Sequence, residues 1–274
     1  MTKQMVIFFD IDGTLLPEGH TEVPEDALSA IRAAQENGHL CLINTGRALG
    51  HIEPYLRGLG LDGIVSGCGT MAEVHGEIFW QHPALDLDAS RQLIENARAC
   101  GLTLIYEGYD ALAYDLYASP ITGKERETYS FAEGRGRKLV LLGEHDSFPV
   151  LKFLIDKSRG GDVARFHAMT PGFDFVNFNA RWEECTPCGY DKGKALIGVM
   201  EHLGLPLEQS IAVGDNTNDL PMLRVCPNSV AMGNGTAKEH PVSFITRRCD
   251  DGGIAHMLHH FGLCSDPAEL QQQR

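Results

Sequence analysis

Short runs of wholly apolar residues alternate with helix-spaced segments at both ends of this chain, and that alternation limits the fold more than any other feature. Val6 to Phe9 form a continuous apolar run, the pattern of a strand buried on both faces of a parallel sheet. Pro24 to Asn37 show helical spacing through Ala27, Leu28, Ile31 and Ala34, with Gly38 as a natural stop. Leu40 to Ile43 read as a second strand, Ala48 to Leu59 as a second helix and Ile64-Val65 as a short third strand. The same texture returns near Gly193. Lys194 to His202 read as a helix, Ile211 to Val213 as a strand, Leu220 to Val225 as a short helix and Ser229 to Met232 as another strand. The expected fold class is α/β, a doubly wound, Rossmann-like parallel sheet.

The middle of the chain differs. Helical spacing over Ser90 to Ala99 precedes strand candidates at Leu102 to Tyr106, Ala111 to Leu116, Val150 to Ile155 and Phe173 to Phe178. Crowded strands with few helices favour an α+β unit. A chain of 274 residues has room for a larger domain carrying a smaller one. The expected organisation is a core formed by 1–82 and 188–274, interrupted by an inserted α+β domain over 83–187. Ser265 to Arg274 read as a polar tail.

Composition narrows the function. Lys and Arg total 23 against 37 Asp and Glu, a net charge of −14. Nucleic-acid binding relies on cationic side chains that release counterions, so no nucleic-acid partner is expected. No apolar run approaches the ~20 residues that span a bilayer, and no basic-then-apolar leader precedes the first strand. No membrane partner is expected, and the expected address is the cytoplasm. The eight cysteines are scattered, which argues against a disulfide framework. Oligomeric state is not legible.

Four segments carry chemistry. Asp10-Ile11-Asp12-Gly13-Thr14 begins where the first apolar strand ends, and ligands of open α/β sheets bind outside the carboxyl ends of strands. Residues two apart in extended chain point the same way, so Asp10 and Asp12 could reach one reacting centre; an ordinary Asp-Gly turn is the plain alternative. Asn44-Thr45-Gly46-Arg47 ends the second strand, where a hydroxyl and free amides at a helix start suit an anion, although taken alone Thr45 reads more readily as a simple cap. Gly214 to Asp219 places Asp215 at another strand end, with Asp219 four residues on. Carboxylates converging there repel unless a cation binds, and hard oxygen ligands without clustered His or Cys point to Mg²⁺. Lys192, alone a solvated surface lysine, could beside such a cluster offset repulsion between a carboxylate and an anionic substrate.

In this order the four segments resemble the motifs of the haloacid dehalogenase superfamily. Asn218 to Leu223, Val230 to Gly235 and Asp250 to Ala255 are similar to its Cof-like branch, whose members carry a type IIB cap between the second and third motifs. The resemblance implies a Mg²⁺-dependent phosphatase acting on a small phosphorylated metabolite, a sugar phosphate first and pyridoxal phosphate or another phosphorylated cofactor next. It implies Asp10 as nucleophile, forming an aspartyl-phosphate, and Asp12 as the acid and base. Asp10, Asp215 and the Asp12 carbonyl would hold Mg²⁺, with Asp219 binding directly or through water. Thr45, with its neighbours Gly46 and Arg47, Lys192 and Asn218 would hold phosphoryl oxygens. The branch commonly shows Asn-Gly where Cys68-Gly69 stands, which puts leaving-group contacts in doubt. A phosphoryl-accepting receiver module is the alternative of a different class; it is much shorter and has no use for Asp12.

Other features read as structural. Cys185-Thr186-Pro187-Cys188 has redox spacing but falls at the expected return from the insertion. His256 and His260 share a face of a surface helix, Phe173 and Phe175 read as packing, and Trp182 stands near the insertion's exit. Arg135, Arg137 and Lys138 form the insertion's basic cluster, read as a solvated loop, with contact to a second anionic group of the substrate as the sharper alternative.

Overall fold

The computed structural model describes residues 3–117, 134–177 and 180–265. The tail beyond 265, Glu133 of the basic stretch and Phe178 of the predicted fourth strand of the insertion lie outside the described residues.

Among the described residues one sheet holds eight strands. Strand β1 (Val6–Phe9) lies between β2 (Leu40–Asn44) and β12 (Ser210–Gly214), with β3 (Gly63–Ser66) beyond β2 and β13 (Asn228–Ala231) and β14 (Phe244–Ile245) beyond β12. All of these pair in parallel. The apolar run of β1 has a direct cause: Ile7 and Phe9 enter the core on one face, Val6 and Phe8 the core on the other. Each such side chain contributes about 1.5–3 kcal/mol when taken out of water. Helices α1 (Glu25–Glu36) and α7 (Gly253–His260) cover the first face; α5 (Lys192–His202) and α6 (Leu220–Val225) cover the second. The doubly wound α/β class is therefore observed.

Three local expectations change. The continuous helix over Ala48 to Leu59 is instead a single tight turn, Leu49–His51, and a short helix α2 (Pro54–Arg57). Pro54 forces the residue before it out of helical conformation, and Glu53 sits at ψ 145°. The sheet also continues past β3 as an antiparallel hairpin, β4 (Met71–Val74) and β5 (Glu77–Gln81). Third, α5 starts at Lys192 because the Asp191 carboxylate accepts from the amides of Gly193 and Lys194, both at 2.8 Å.

Among the described residues the second sheet has six strands: β6 (Leu104–Glu107), β7 (Leu112–Asp115), β8 (Leu139–Leu142), β9 (Lys152–Asp156), β10 (Phe173–Asn177) and β11 (Trp182–Pro187), in the order β10-β11-β9-β6-β7-β8. Only β7 and β8 pair in parallel. Helix α3 (Leu87–Ala99) and helix α4 (Val163–Met169) close its core through Leu93, Ile94, Ala97 and Phe166. Phe173 packs on Phe153 at 4.8 Å between ring centres, and Phe175 stacks on His167 at 3.7 Å. On α7, His260 stacks on Phe244 at 3.8 Å and His256 bonds Thr246 at 2.9 Å. Cys185 is buried in β11 and Cys188 is exposed just beyond it.

Candidate active site

Asp10 follows the last residue of β1, and its amide still donates to the Val213 carbonyl at 3.0 Å, which fixes it at the carboxyl edge of the sheet. Asp215 follows β12 next door. Both are buried, and Asp219 is completely so. Ligand oxygens of Asp10, Asp215 and Asp219 lie within 4.8 Å of one another. Gly13 makes this approach possible: its φ is 81°, and a Cβ there would lie 2.3 Å from an Asp215 oxygen. Asn234 braces the same loop, donating from its amide to the Gly13 carbonyl at 2.8 Å.

Lys192 lies behind this rim with no exposure. Its Nζ donates to Asp10 Oδ1 and to Asp219 Oδ1, each at 2.6 Å. Asn44 holds the start of α5 by donating to the Lys192 carbonyl at 3.0 Å. Asp219 Oδ2 accepts from the amides of Asp215 and Asn216 at 2.9 and 3.0 Å. Both of its oxygens are thus engaged, and it shapes the loop that carries Asp215.

Three carboxylates face one ammonium here. Burial, then repulsion from Asp219, pushes the Asp215 carboxyl up to about 7, with Lys192 opposing. Burial and Asp219 likewise push Asp10 well above the ordinary carboxylate range, against the pull of Lys192. Asp215 Oδ1 is buried and has no hydrogen-bond partner among the described residues. An orphaned oxygen, an excess of negative charge and an all-oxygen donor set fit a hard divalent cation. Asp10, Asp215 and Asp219 are the side chains that each offer an oxygen to such an ion.

Asp12 points elsewhere. Its carboxylate accepts from Arg47 Nε at 2.8 Å and Nη2 at 2.5 Å, a bidentate pair. Burial opposes ionisation, but Arg47 outweighs it and holds Asp12 below the ordinary carboxylate range. Arg47 also donates through Nη1 to Glu53 Oε2 at 2.5 Å. Thr45 is buried at the end of β2, its Oγ1 accepting from the Arg47 amide at 3.2 Å.

These residues open into a cavity of about 580 Å³ between the two sheets. Asp10, Asp12, Thr45, Gly46, Arg47, Asp215 and Asn218 line it, and Asn218 Oδ1 is buried without a partner among the described residues. Lys192 and Asp219 do not line it. The opposite wall comes from the second sheet and was not legible in the sequence. Lys152, fully buried on β9, donates to Glu184 on β11 at 2.5 Å and to the Gly46 carbonyl at 2.6 Å. Glu107 on β6 accepts from the Ala48 amide at 2.8 Å and faces His51 at 3.3 Å. Burial would raise Glu107, but Lys152 and His51 bring it down to about 2. Burial would lower Lys152, but Glu107 and Glu184 hold it above its ordinary range. The loop after Thr45 is therefore gripped by groups on two strands of the other sheet, with Glu184 on a third holding Lys152 in place.

Three further residues depart from the expectation. Arg135 and Arg137 are not a solvated loop; both are largely buried against Glu53, and only Lys138 is exposed. Cys68 is buried in left-handed conformation at φ 56°, where Asn is enriched, and Glu184, Lys152 and Lys192 are the charges around its thiol. Burial and Glu184 keep that thiol protonated. Trp182, the first residue of β11, is half-buried on the cavity wall.

The model of the haloacid dehalogenase-like hydrolases matches residues 7–258. The chain is 26% identical to the putative phosphatase YkrA of Bacillus subtilis over 94% of its own length and 98% of the relative's. It is 28% identical to YitU of the same organism, a 5-amino-6-(5-phospho-D-ribitylamino)uracil phosphatase, over 94% and 97%. A crystal structure of a Geobacillus kaustophilus protein superposes with a TM-score of 0.78 at 26% identity, covering 95% of this chain and all of that one.

Proposed function

The chain belongs to the haloacid dehalogenase-like hydrolases, as a phosphatase of that kind, and from this premise we propose that it hydrolyses a small phosphorylated sugar or sugar-alcohol ester. The observation that carries the reading is the meeting of Asp10, Asp215 and Asp219 around Lys192 at the sheet edge, facing a cavity of ligand size. YitU supports the substrate class, since its named substrate carries phosphate on a ribityl chain. The segment 83–187 serves in this reading as a cap over the site, and no helix among the described residues is long and apolar enough to cross a membrane.

In the proposed reaction the Asp10 carboxylate attacks phosphorus, the ester P–O bond breaks, and Asp12 gives a proton to the departing oxygen. Asp12 then takes a proton from a water molecule that attacks the acyl phosphate. Breaking the bond between phosphorus and the Asp10 oxygen releases phosphate and restores the carboxylate. Arg47 keeps Asp12 ionised, the state the second step requires; the acid step requires Arg47 to release it when substrate enters. Lys192 aims Asp10 and moderates its charge toward an anionic ester. Thr45, the Gly46 amide and Asn218 bind the phosphoryl oxygens. A Mg²⁺ ion held by Asp10, Asp215 and the Asp12 carbonyl, with Asp219 behind them, would neutralise phosphoryl charge. The grip of Lys152 and Glu107 on the Thr45 loop holds the far wall of the cavity in place.

The reading is tested by incubating the protein with a panel of phosphorylated metabolites and Mg²⁺. Multiple turnover that EDTA abolishes and that Asp10→Asn removes is the expected result. A single stable phosphorylation without turnover, or full turnover by the Asp10→Asn variant, would overturn it.

A further inference from the structure

His51 ends the tight turn that follows Arg47, and it lines the cavity with a side chain that is 16% exposed. Its two ring nitrogens differ. Nδ1 is buried and lies 3.3 Å from Glu107 Oε2, the oxygen that also accepts from the Ala48 amide at 2.8 Å. Glu107 stays ionised, at about 2. A lone pair on Nδ1 would be repelled by that oxygen, whereas a hydrogen there is attracted to it, so Nδ1 carries the hydrogen of the ring. Burial, with Arg137 and Arg47 near by, holds His51 below its ordinary range against the pull of Glu107. The ring is therefore neutral at pH 7, and Nε2 keeps its lone pair. Among the described residues nothing donates to Nε2, and unlike Nδ1 it is not a buried atom left without a partner. The exposed part of the ring thus brings an unspent acceptor to the cavity.

The surroundings decide what that acceptor takes. Glu107 and Glu184, the carboxylates on the same wall, already accept from the Ala48 amide and from Lys152. A neutral imidazole lone pair repels an oxyanion and is satisfied by an O–H or N–H group. Asp12 lies close enough to His51 to respond to its charge, and the oxygen that leaves phosphorus must lie beside Asp12. Resting on the phosphatase reading above, we propose that His51 is a specificity-determining residue: its Nε2 accepts a hydrogen bond from a hydroxyl of the leaving group, carried on the carbon next to the ester carbon or on the one after it. Glu107 acts through His51 as a positioning residue, since it fixes which nitrogen faces the substrate.

Four esters built on one carbon chain test this: propyl phosphate, glycerol 1-phosphate, and glycerol 1-phosphate methylated on either its 2- or its 3-hydroxyl. The ethers keep the oxygen and its electron withdrawal but have no hydrogen to give. Turnover of p-nitrophenyl phosphate reports on the phosphatase reading separately. The wild-type protein is expected to favour glycerol 1-phosphate over propyl phosphate by about tenfold in kcat/KM, the cost of leaving one buried acceptor unpaired. One of the two ethers should fall to within about threefold of propyl phosphate, and it identifies the hydroxyl. His51→Gln keeps a polar group near the place of Nε2 and should retain most of the preference. His51→Asn reaches only as far as Nδ1, so it keeps the contact with Glu107 and should reduce the preference below about threefold. Equal kcat/KM for glycerol 1-phosphate and propyl phosphate in the wild-type protein, with p-nitrophenyl phosphate still hydrolysed, would overturn the proposal whatever the variants do. So would two ethers both as good as glycerol 1-phosphate. A preference that His51→Asn keeps and His51→Gln loses would overturn it as well, since a ring acting only through its contact with Glu107 would give that result.

Discussion

Replacing Asp215 by asparagine should stabilise the metal-free protein, although it removes a group the reaction needs. In the folded chain the Asp215 carboxyl is pushed from its ordinary 3.8 to about 7 by burial and by Asp219. A group whose folded value lies above its unfolded value favours folding while it is protonated. The cost of ionising it is absent below about pH 4, grows through the interval up to 7, and is complete above it. About three pH units at 1.36 kcal/mol each give ~4 kcal/mol at pH 8 and under about 2 kcal/mol at pH 5. Asparagine has the same shape without the charge, so Asp215→Asn should gain up to that amount in EDTA at pH 8, a midpoint rise on the order of 10 °C for a chain of this size. Lys192 already satisfies Asp10 and Asp219, so no new orphan charge arises. Chemical denaturation in EDTA at both pH values measures the effect, and repeating it with Mg²⁺ should stabilise the wild type but not the variant. A loss of stability in EDTA at pH 8, or a gain independent of pH, would refute the electrostatic account of this cluster.

Three further outcomes follow from the same contacts. Lys192→Met leaves two buried carboxylates without their cation and should cost about 3–5 kcal/mol at pH 8, with much of it recovered at pH 5, in a denaturant titration in EDTA. Lys152→Met strands Glu107 and Glu184 and frees the Gly46 carbonyl, so a loss of similar size, about 3–5 kcal/mol, is expected, together with faster hydrogen exchange of the Ala48 amide. Gly13→Ala places a methyl against Asp215 and forces an unfavourable φ; Mg²⁺ affinity measured by calorimetry should drop by an order of magnitude or more.

The core and its rim were legible because each signal was local. The unbroken apolar run of β1 exists because the strand is covered on both faces, and Asp10 is visible as the residue where that run stops. Asp215 repeats the pattern after β12. The hairpin of β4 and β5 has a local sequence trace in His75-Gly76, which supplies consecutive positive φ values of 53° and 80°, as a two-residue hairpin turn requires. The wall opposite was hidden for a physical reason. Glu183 and Glu184 break the apolar pattern of β11, yet both are buried, because His167 pairs with Glu183 and Lys152 neutralises Glu184 from other elements. Glu53, Arg135 and Arg137 are likewise far apart in sequence and meet only where one sheet closes on the other. Charge pairing over such separations has no period to read. The same holds for Asp12, whose place in the motif is plain while its hold on Arg47 is not.

The central claim, that Asp10 itself takes the phosphoryl group, is tested most directly by acid-quenching the protein during turnover with Mg²⁺ and mapping phosphorylation by mass spectrometry. A phosphoryl group on the peptide holding Val6 to Thr14, located on Asp10 and missing from Asp10→Asn, is the expected result. Continued turnover with that peptide unmodified at every quench time, and with phosphate released directly to water, would contradict the account.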